Sequence, residues 1–396
     1  MPASSAARVR PIASQRRHVT RQPRHRLRRG VVLVMVGMLT FFGAGSVFAY
    51  QAIQGGVSTH NLDDILGGGD RPAAQEAPDD ELDGRPVNIM VMGSDARAEE
   101  DSDYAAVSGM RSDTNVLMHI SADRTRVDVV SIPRDLLVDV PACPLPDGSQ
   151  TTPMAAGVDD NGTRFNAAFA YGGQGGDVAH AAACTILTVE EMTGLYIDDF
   201  AVIDFDGFRG MIDALGGVEM CFEQDIEAPK AHLSLSEGCH ELDGDTALGV
   251  ARARVGVDDG SDISRIDRQQ DLFNAIAAEV FDSNLVTDTP ALFRFLQATT
   301  SSLTTSDRIG NLTTMGGLAY SLRSLDTADV NFATVPFDWA GNVVVQNAEG
   351  DPLWESLRSD QPMVLPAEDP HGPDEVADTG ENEDQDDQPE AEGNSG

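Results

Sequence analysis

The chain has 396 residues, of which 41% are hydrophobic, and it carries a formal net charge of −38. An acidic surface of this strength repels nucleic acid and anionic lipid head groups, so the composition argues against a nucleic-acid partner. We interpret most of the carboxylates as a solvated face. The single lysine, Lys230, follows a proline and lacks a glycine-rich approach, which argues against a Walker loop and against Schiff-base catalysis.

The N-terminus contains a strongly basic segment. Nine arginines lie within residues 8–29 without an acid, and residues 31–49 then follow without a charge. This pattern predicts a basic cytoplasmic arm (1–30) and a transmembrane helix (31–49), because flanking arginines stay in the cytoplasm. We therefore expect a single-pass protein of the cell membrane whose remaining residues are extracytoplasmic. A cleaved signal peptide is the alternative, since residues 47–49 resemble a small-residue cleavage site.

Composition separates three regions beyond the membrane segment. Residues 50–85 are rich in Gly, Asp, Pro and Ala, which predicts a flexible stalk. Residues 86–366 are long enough for one large domain with its own core. Residues 367–396 contain many acids and no lysine or arginine, which predicts a disordered tail.

Short runs rich in Val, Ile and Phe alternate with longer amphipathic runs in the central region. The predicted strands are 87–92, 115–120, 126–132, 200–204, 218–222 and 330–335. The predicted helices are 178–193, 205–215, 266–282 and 290–302. This alternation indicates an α/β or α+β sandwich.

Four cysteines follow the membrane segment, in a compartment that permits disulfides. Their spacing fits no compact zinc pattern. Pairing Cys143 with Cys184 and Cys221 with Cys239 keeps the loops shortest, so we expect these two disulfides. Four free structural thiols are the alternative.

Arginines and aspartates cluster at the ends of three predicted strands. Asp95 and Arg97, in GSDAR, follow the first strand, and Arg111 and Asp113, in RSDTN, precede the second. Arg134 and Asp135, in SIPRD, follow the third strand through a proline that ends its pairing. Ligands of open α/β sheets bind at such ends, so we expect one rim to gather these side chains.

A further cluster spans residues 252–270. Arg265, Arg268 and Gln269 have the spacing of one helical face. Arginines fit phosphate oxygens bidentately, and so many like charges destabilise a fold that offers them no anion. We interpret the clusters as a pyrophosphate site in which Asp95 and Asp113 hold Mg²⁺, with Mn²⁺ as the other candidate ion. An internal Arg–Asp network that stabilises the sheet rim is the alternative.

Seven segments in this order resemble the LytR-CpsA-Psr family of cell-wall glycopolymer ligases, in its actinobacterial form. They are GSDAR, RSDTN, VVSIPRD, RFNAAFAYGG, VIDFDGFRGMIDALGGVEM, LDGDTALGVARAR and SDISRIDRQQ. The resemblance implies an αβα sandwich, a mixed central sheet flanked by helices, with a hydrophobic tunnel for a polyprenyl chain.

The resemblance also implies roles for residues at matching positions. Asp95 and Asp113 would be the Mg²⁺ ligands, and Arg134, Asp135, Arg252 and Arg254 are the candidate catalytic residues. The candidate pyrophosphate ligands are Arg97, Arg111, Arg134, Arg164, Arg252, Arg254, Arg265, Arg268 and Gln269. Arg164 stands where the family often has lysine, which keeps the charge and alters the geometry.

The implied activity is transfer of a glycopolymer, such as arabinogalactan or a teichoic-acid-like polymer, from a polyprenyl pyrophosphate donor to a peptidoglycan acceptor. Asp135 is a candidate general base, although its neighbour Arg134 could equally engage it in an ion pair. A polyprenyl pyrophosphate phosphatase and a non-enzymatic membrane-tethered regulator of the cell envelope are the alternatives.

Overall fold

The structure is a computed structural model that describes residues 58–67, 71–73, 84–94, 110–157, 162–253, 262–282, 295 and 302–364. The predicted cytoplasmic arm, transmembrane helix and acidic tail lie outside these residues. Within the described part of the chain, no helix combines the length and apolarity needed to cross a membrane.

The described residues form thirteen strands and eight α-helices. The strands are β1 (Ser58–His60), β2 (Val87–Ser94), β3 (Ser112–Ile120), β4 (Val127–Ser131), β5 (Asp199–Asp204), β6 (Val218–Phe222), β7 (Ile226–Ala228), β8 (Leu233–Leu235), β9 (Gly238–Leu242), β10 (Leu303–Ser306), β11 (Val330–Thr334), β12 (Phe337–Ala340) and β13 (Val343–Gln346). The helices are α1 (Leu62–Leu66), α2 (Asn166–Gly172), α3 (Val178–Thr193), α4 (Phe205–Leu215), α5 (Gly244–Arg252), α6 (Asp262–Asp282), α7 (Leu312–Ser321) and α8 (Gly350–Arg358).

A mixed sheet in the order β1-β10-β5-β2-β3-β4-β11 forms the centre of this part of the chain. Strand β2 pairs parallel to β5 and antiparallel to β3, and β4 pairs antiparallel to β3 and parallel to β11. Consequently β2, β4, β5 and β11 end where β3 and β10 begin. We call that end of the sheet the rim and the opposite end the base.

Helices cover both faces of the sheet, as the αβα prediction requires. On one face, Met90, Leu117 and Phe200 pack against α2, α3 and α8. On the other face, Ile89 and Val116 pack towards α6 and α7. A separate apolar cluster joins α4 and α5 to the small strand pairs β6–β9 and β7–β8.

Most predicted elements are confirmed. All six predicted strands are present, and the predicted helices 178–193 and 205–215 have the bounds of α3 and α4. The predicted helix 266–282 begins four residues too late, because α6 starts at Asp262. The predicted helix 290–302 lies almost wholly outside the described residues.

Both expected disulfides are present, and they fasten different parts of the fold. Cys143–Cys184 ties the segment after β4 to α3, whereas Cys221–Cys239 joins the paired strands β6 and β9. Thus the alternative of four free thiols is wrong.

Part of the predicted flexible stalk is folded onto the domain. Strand β1 pairs with β10, the Asn61 side chain caps α1, and Leu62 is buried in the core. Further along, Arg71 makes a two-pronged ion pair with Glu190 at 2.8 and 3.0 Å and lies over the ring of Tyr196. The prediction for residues 50–85 is therefore wrong for 58–67 and 71–73.

At the base, arginines pair with buried carboxylates. Arg308 Nε donates to Asp199 at 2.9 Å, Arg85 pairs with Asp198, and Arg126 Nε donates to Asp128 at 2.6 Å. Burial opposes the charge of Arg71 and Arg308, but the Glu190 and Asp199 carboxylates outweigh it and raise the pKa of both guanidinium groups. These internal ion pairs at the base involve none of the arginines in the predicted clusters.

Candidate active site at the sheet rim

The rim brings together side chains that are far apart in sequence. Ser94, the last residue of β2, lies beside both Ser112 on β3 and Asp204 on β5. Ser131, the last residue of β4, lies beside Val116 on β3 and Thr334 on β11. The segments after Ser94, Ser131 and Asp204 therefore all leave the sheet at this end.

Arg134 lies at the centre of an ion-pair chain on the rim. Its Nη1 donates to Asp113 Oδ1 at 3.0 Å, and its Nε donates to Asp135 Oδ2 at 3.2 Å. Arg164 Nη1 donates to the other oxygen of Asp135 at 2.8 Å. The chain Asp113–Arg134–Asp135–Arg164 confirms that the RSDTN, SIPRD and RFNAAF segments converge.

Asp113 lies within β3, so the expectation that it precedes the strand is wrong: β3 begins at Ser112, three residues before the predicted start. The reason is that β2 continues to Ser94 and pairs with β3 as far as Ser112, across a register shift. The consequence for the site is small, because Asp113 is still at the rim and 42% of its side chain is exposed.

The backbone holds Arg164 beside Asp135. Leu137 pairs with Arg164 in an antiparallel bridge, and the amide of Phe165 donates to the Leu136 carbonyl at 2.8 Å. Asn166 N donates to the Arg134 carbonyl at 3.1 Å, just before α2 turns away. These hydrogen bonds fix the backbone on both sides of Arg164 and so place its side chain near Asp135.

Arg252 reaches the rim through an aromatic contact. Asp204 ends β5 and caps α4, so Phe205 begins α4 directly at the rim. The Arg252 guanidinium lies 4.6 Å above the centre of the Phe205 ring. A cation over an aromatic face is attracted by the ring quadrupole, which fixes the cation in place. Sequence reasoning missed Phe205 and Asp204, although VIDF marks the end of a predicted strand.

Arg268 and Gln269 are buried and contact backbone. Arg268 Nη2 donates to the Ala253 carbonyl at 2.7 Å, and Gln269 Nε2 donates to the Ala251 carbonyl at 3.0 Å. Both bonds fasten the end of α5, where Arg252 lies. These contacts make Arg268 and Gln269 supports for Arg252, and their role as pyrophosphate ligands stays a prediction.

Other predicted site residues lie outside the described part of the chain or directly before β3. Asp95, Arg97 and Arg254 lie outside the described residues, as does the side chain of Arg265. Arg111 directly precedes β3 and is exposed at the rim.

The Asp204 carboxylate is partly buried where β5 ends at the rim. Burial raises the pKa of Asp204, and the nearby Asp206 carboxylate raises it further. The Gly207 amide opposes this shift by donating to Asp204 Oδ1 at 2.8 Å, as an N-cap requires.

The rim suits a hard divalent cation that shares its ligands with phosphate. Within the described residues, no three His, Cys, Asp or Glu side chains form a metal-binding group. Mg²⁺ does not need such a group, since one or two carboxylates and phosphate oxygens suffice. Asp113 supplies one exposed carboxylate at the end of β3, beside cationic side chains that suit a phosphate. Asp113 is therefore compatible with a role as one carboxylate ligand of Mg²⁺, and the second predicted ligand, Asp95, lies outside the described residues.

The sheet face towards α6 and α7 carries apolar side chains that are only partly buried. They include Val91 on β2 and Met118 on β3, both central strands, and also Phe273, Leu318, Leu322 and Phe332. Side chains on the central strands of a covered sheet are usually fully buried. On this face Ile89 and Val116 are buried while Val91 and Met118 keep some exposure, whereas Met90, Leu117 and Phe200 on the opposite face are inaccessible.

Comparisons with known proteins agree with this architecture. The model of the LytR_cpsA_psr family matches residues 62–357. The "Probable cell wall biosynthesis protein LcpB" of Corynebacterium glutamicum is 31% identical over 284 residues, which are 69% of this chain and 61% of that protein. The "Polyisoprenyl-teichoic acid--peptidoglycan teichoic acid transferase TagU" of Halalkalibacterium halodurans is 28% identical over 261 residues, 65% of this chain and 74% of that protein.

Among solved structures, TagV of Bacillus subtilis shares the fold with a TM-score of 0.52 at 21% identity, covering 70% of this chain and 98% of that one. The chain spans less than two thirds of the length of LcpB. The family model nevertheless covers almost the whole described domain, and the resemblance seen in the motifs is confirmed. The chain belongs to the LytR_cpsA_psr family.

Proposed function

We propose that the protein is a phosphotransferase that moves a glycopolymer from polyprenyl pyrophosphate onto peptidoglycan through a phosphodiester link. The observation that carries this proposal is the chain Asp113–Arg134–Asp135–Arg164 at the rim, with Arg252 held over Phe205 at the same end of the sheet. The relatives named as transferases of polyisoprenyl-linked teichoic acid support this class of donor and acceptor.

The guanidinium groups at the rim suit a diphosphate. Arg134 and Arg164 hold their planar groups at fixed positions through Asp135, and both side chains stay partly open to solvent. Arginine donates two parallel hydrogen bonds to a phosphate, and the bonds strengthen as negative charge accumulates on its oxygens. Such preorganised donors favour the transition state of phosphoryl transfer over the ground state.

The apolar sheet face towards α6 and α7 is where we place the lipid portion of the donor. Its side chains are apolar, and Val91 and Met118 on the central strands are only partly buried. A polyprenyl chain gains about 25 cal/mol for each Å² of apolar surface that it removes from water. The lipid would then lie along this face while its pyrophosphate lies at the rim.

Asp113, together with Asp95 beyond the end of β2, would hold Mg²⁺. When bound, this ion neutralises charge on the phosphate oxygens. The proposed localisation agrees with a lipid donor, because a transmembrane helix at residues 31–49 would anchor the domain outside the cell membrane.

In the proposed step, a peptidoglycan hydroxyl attacks the phosphorus that bears the glycopolymer. The bond from this phosphorus to the bridging oxygen breaks, lipid monophosphate leaves, and the hydroxyl proton passes to solvent. Arg134, Arg164 and Arg252 stabilise the charge that develops on the phosphoryl oxygens. Both oxygens of Asp135 accept hydrogen bonds from guanidinium groups, so we assign to Asp135 the positioning of Arg134 and Arg164.

Incubation of the full chain with labelled lipid-linked glycan and purified peptidoglycan tests the proposal. A transferase moves the label into the insoluble wall and releases lipid monophosphate. Release of lipid monophosphate without label in the wall would show a phosphatase and defeat the proposal. Restoration of wall attachment by the Arg252→Ala variant in a depleted strain would favour a non-enzymatic regulator instead.

A further inference from the structure

A phenylalanine lies at the point where β5 ends at the rim. Asp204 is the last residue of β5, and it caps α4 by accepting a hydrogen bond from the Gly207 amide at 2.8 Å. Phe205 is therefore the first residue of α4, and its backbone is fixed by a strand on one side and by a helix on the other. The ring that it carries at the rim is half-buried.

Arg252 reaches this ring from a second helix. It is the last residue of α5, and its guanidinium carbon lies 4.6 Å from the centre of the Phe205 ring. A cation over an aromatic face is attracted by the negative charge at that face. An aliphatic side chain of similar size would fill the same space without this attraction, so the contact has an electrostatic part that is separate from packing.

The two helices that carry the pair are docked closely. Gly244, at the start of α5, is so near α4 that a Cβ atom there would lie 2.4 Å from the Arg209 carbonyl oxygen. The Gly244 amide donates to Asp213 at 2.8 Å, and Arg209 donates to Asp245 at 3.0 Å. A shift of one helix along the other would break these contacts. The helices therefore hold the backbones of residues 205 and 252 at a fixed separation.

Helix α6 fastens the backbone on both sides of Arg252. Gln269 donates to the Ala251 carbonyl at 3.0 Å, and Arg268 donates to the Ala253 carbonyl at 2.7 Å. Both donors are buried. These bonds fix the backbone of Arg252, but its long side chain still has several rotatable bonds, so the guanidinium needs a contact of its own to be held in place. The Phe205 ring supplies such a contact.

The rim thus uses two ways to orient an arginine. Arg134 and Arg164 are oriented by hydrogen bonds to the two oxygens of Asp135, which brings a negative charge next to each cation. The contact between Phe205 and Arg252 contributes no opposing charge. It can therefore orient a guanidinium while the attraction of that group for phosphoryl oxygens is kept.

We propose that Phe205 is a positioning residue for phosphoryl transfer, whose ring holds the Arg252 guanidinium where charge develops on the transferred phosphoryl group. This inference rests on the proposed function for the reaction that it serves. It adds that the electrostatic attraction of the ring, and not only its bulk, contributes to the rate, because the ring acts through a cation.

Replacement of Phe205 by phenylalanines that carry one, two or three ring fluorines tests this attraction. Each fluorine withdraws electron density from the face of the ring and weakens its hold on a cation, while the shape of the side chain is nearly kept. For the full chain in detergent micelles, the kcat for transfer of label to peptidoglycan is expected to fall stepwise, by about tenfold in total, with the KM for the lipid-linked donor nearly unchanged. An equal kcat throughout the series would overturn the proposal.

Phe208 provides the matched control. It lies on the same helix, is half-buried, and packs against the apolar cluster that joins α4 and α5 to the small strand pairs. Trifluorophenylalanine in place of Phe208 should leave kcat unchanged. A loss as large as that at Phe205 would show that fluorine disturbs α4 as a whole, and the assignment to Arg252 would fall.

Combination with Arg252→Ala shows whether the ring acts through the guanidinium. In the Arg252→Ala background, fluorination of Phe205 should cause no further loss of kcat, because the cation that the ring holds is absent. The same stepwise fall with and without the guanidinium would contradict the proposal. Among natural residues, Phe205→Tyr keeps an aromatic face and should retain most of the rate, whereas Phe205→Leu should lose as much as the trifluoro variant.

The two proposals fail separately. If the wild type releases lipid monophosphate without labelling the wall, the transferase proposal falls. A stepwise loss of that release across the fluorine series would still support the positioning role, because phosphoryl transfer to water uses the same cation. If label enters the wall at equal rates throughout the series, the transferase proposal stands and the role of Phe205 falls.

Discussion

At the base of the sheet, arginines pair with carboxylates that are closed to water, whereas at the rim the chain of pairs ends in a carboxylate, Asp113, that is open to water. Glu190, the base partner of Arg71, has 2% of its side chain exposed, against 42% for Asp113, the rim partner of Arg134. A buried charge must be paired continuously, because an unpaired one loses its solvation without compensation. An open pair can exchange its partner for a ligand at little cost.

Because arginine–carboxylate pairs occur at both ends of the sheet, residue types alone do not distinguish a structural network from a binding site. Arg85 and Arg308 at the base carry the same charge as the arginines at the rim. Their ion-pair partners, Asp198 and Asp199, are buried. The exposure of the arginines does not separate the two uses, since Arg308 is 23% exposed and Arg134 16%, but the exposure of their carboxylate partners does, at 1% for Asp199 and 42% for Asp113.

The largest effect on stability is expected at the base. Replacement of Glu190 by alanine leaves the Arg71 guanidinium and the Ile197 amide without their carboxylate partner. The free energy of unfolding should fall by about 3–5 kcal/mol, measured by urea denaturation. Asp63→Ala is the matched control, since it removes the 78% exposed partner of the same arginine and should cost less than about 1 kcal/mol. Equal losses in both variants would contradict the contrast between buried and open pairs.

The largest effect on activity is expected at the rim. Arg134→Ala should lower the rate of label transfer to peptidoglycan by about a hundredfold, because a donor to the transition state is lost. Its stability should change little, since Asp113 is open to water and Asp135 keeps its ion pair with Arg164. Arg126→Ala at the base is the counterpart: it removes the ion-pair partner of the buried Asp128, which keeps only its hydrogen bond from Asn331, so stability should fall while the activity per folded molecule is retained. Full transfer by Arg134→Ala would place the chemistry elsewhere.

A smaller effect is expected for Asp135→Asn. If Asp135 positions Arg134 and Arg164, the amide still offers one acceptor, and the rate should fall by about tenfold or less. A general base would instead contribute about 10²–10⁴ in rate and one limb of the pH–rate profile. The pH–rate profile of the variant therefore decides, and loss of a limb would restore the general-base role.

The smallest effect concerns the dependence of stability on pH. Burial raises the pKa of Asp204 in the folded state, so ionisation of Asp204 disfavours folding. The resulting cost is absent below its unfolded pKa of about 4 and develops fully as the pH rises through the higher folded value. Asp204→Asn keeps the oxygen that caps α4 and removes the charge. Its stability relative to wild type should rise from acid to neutral pH, and a constant or falling difference would contradict this.

The sequence predicted the sheet better than the termini of the domain. Six strands could be predicted from apolar runs rich in β-branched residues, such as VVSI. Helices α3 and α4 could be predicted from amphipathic runs that lie next to glycine. The strand β1 has no such signal, since its sequence is STH and its pairing with β10 depends on backbone hydrogen bonds. The Arg71–Glu190 pair joins residues 119 positions apart, and nothing in the local composition near Arg71 indicates it.

Some contacts of the candidate site could be predicted from the sequence, and others could not. The contact between Arg134 and Asp113 follows from strand ends, because an antiparallel pair places the end of one strand beside the start of the next. The contact between Arg252 and Phe205 could not be predicted, since a cation over a ring leaves no spacing pattern in the sequence. Likewise, burial of Arg268 and Gln269 depends on how α6 packs against α5, which no local pattern encodes.

The decisive experiment is a crystal structure of the chain with a bound prenyl pyrophosphate and Mg²⁺. We expect diphosphate oxygens within about 3 Å of the Arg134 and Arg164 guanidinium groups, with the lipid between the sheet and helices α6 and α7. A diphosphate bound at the base, or a rim whose arginines keep only their carboxylate partners at saturating ligand, would contradict it.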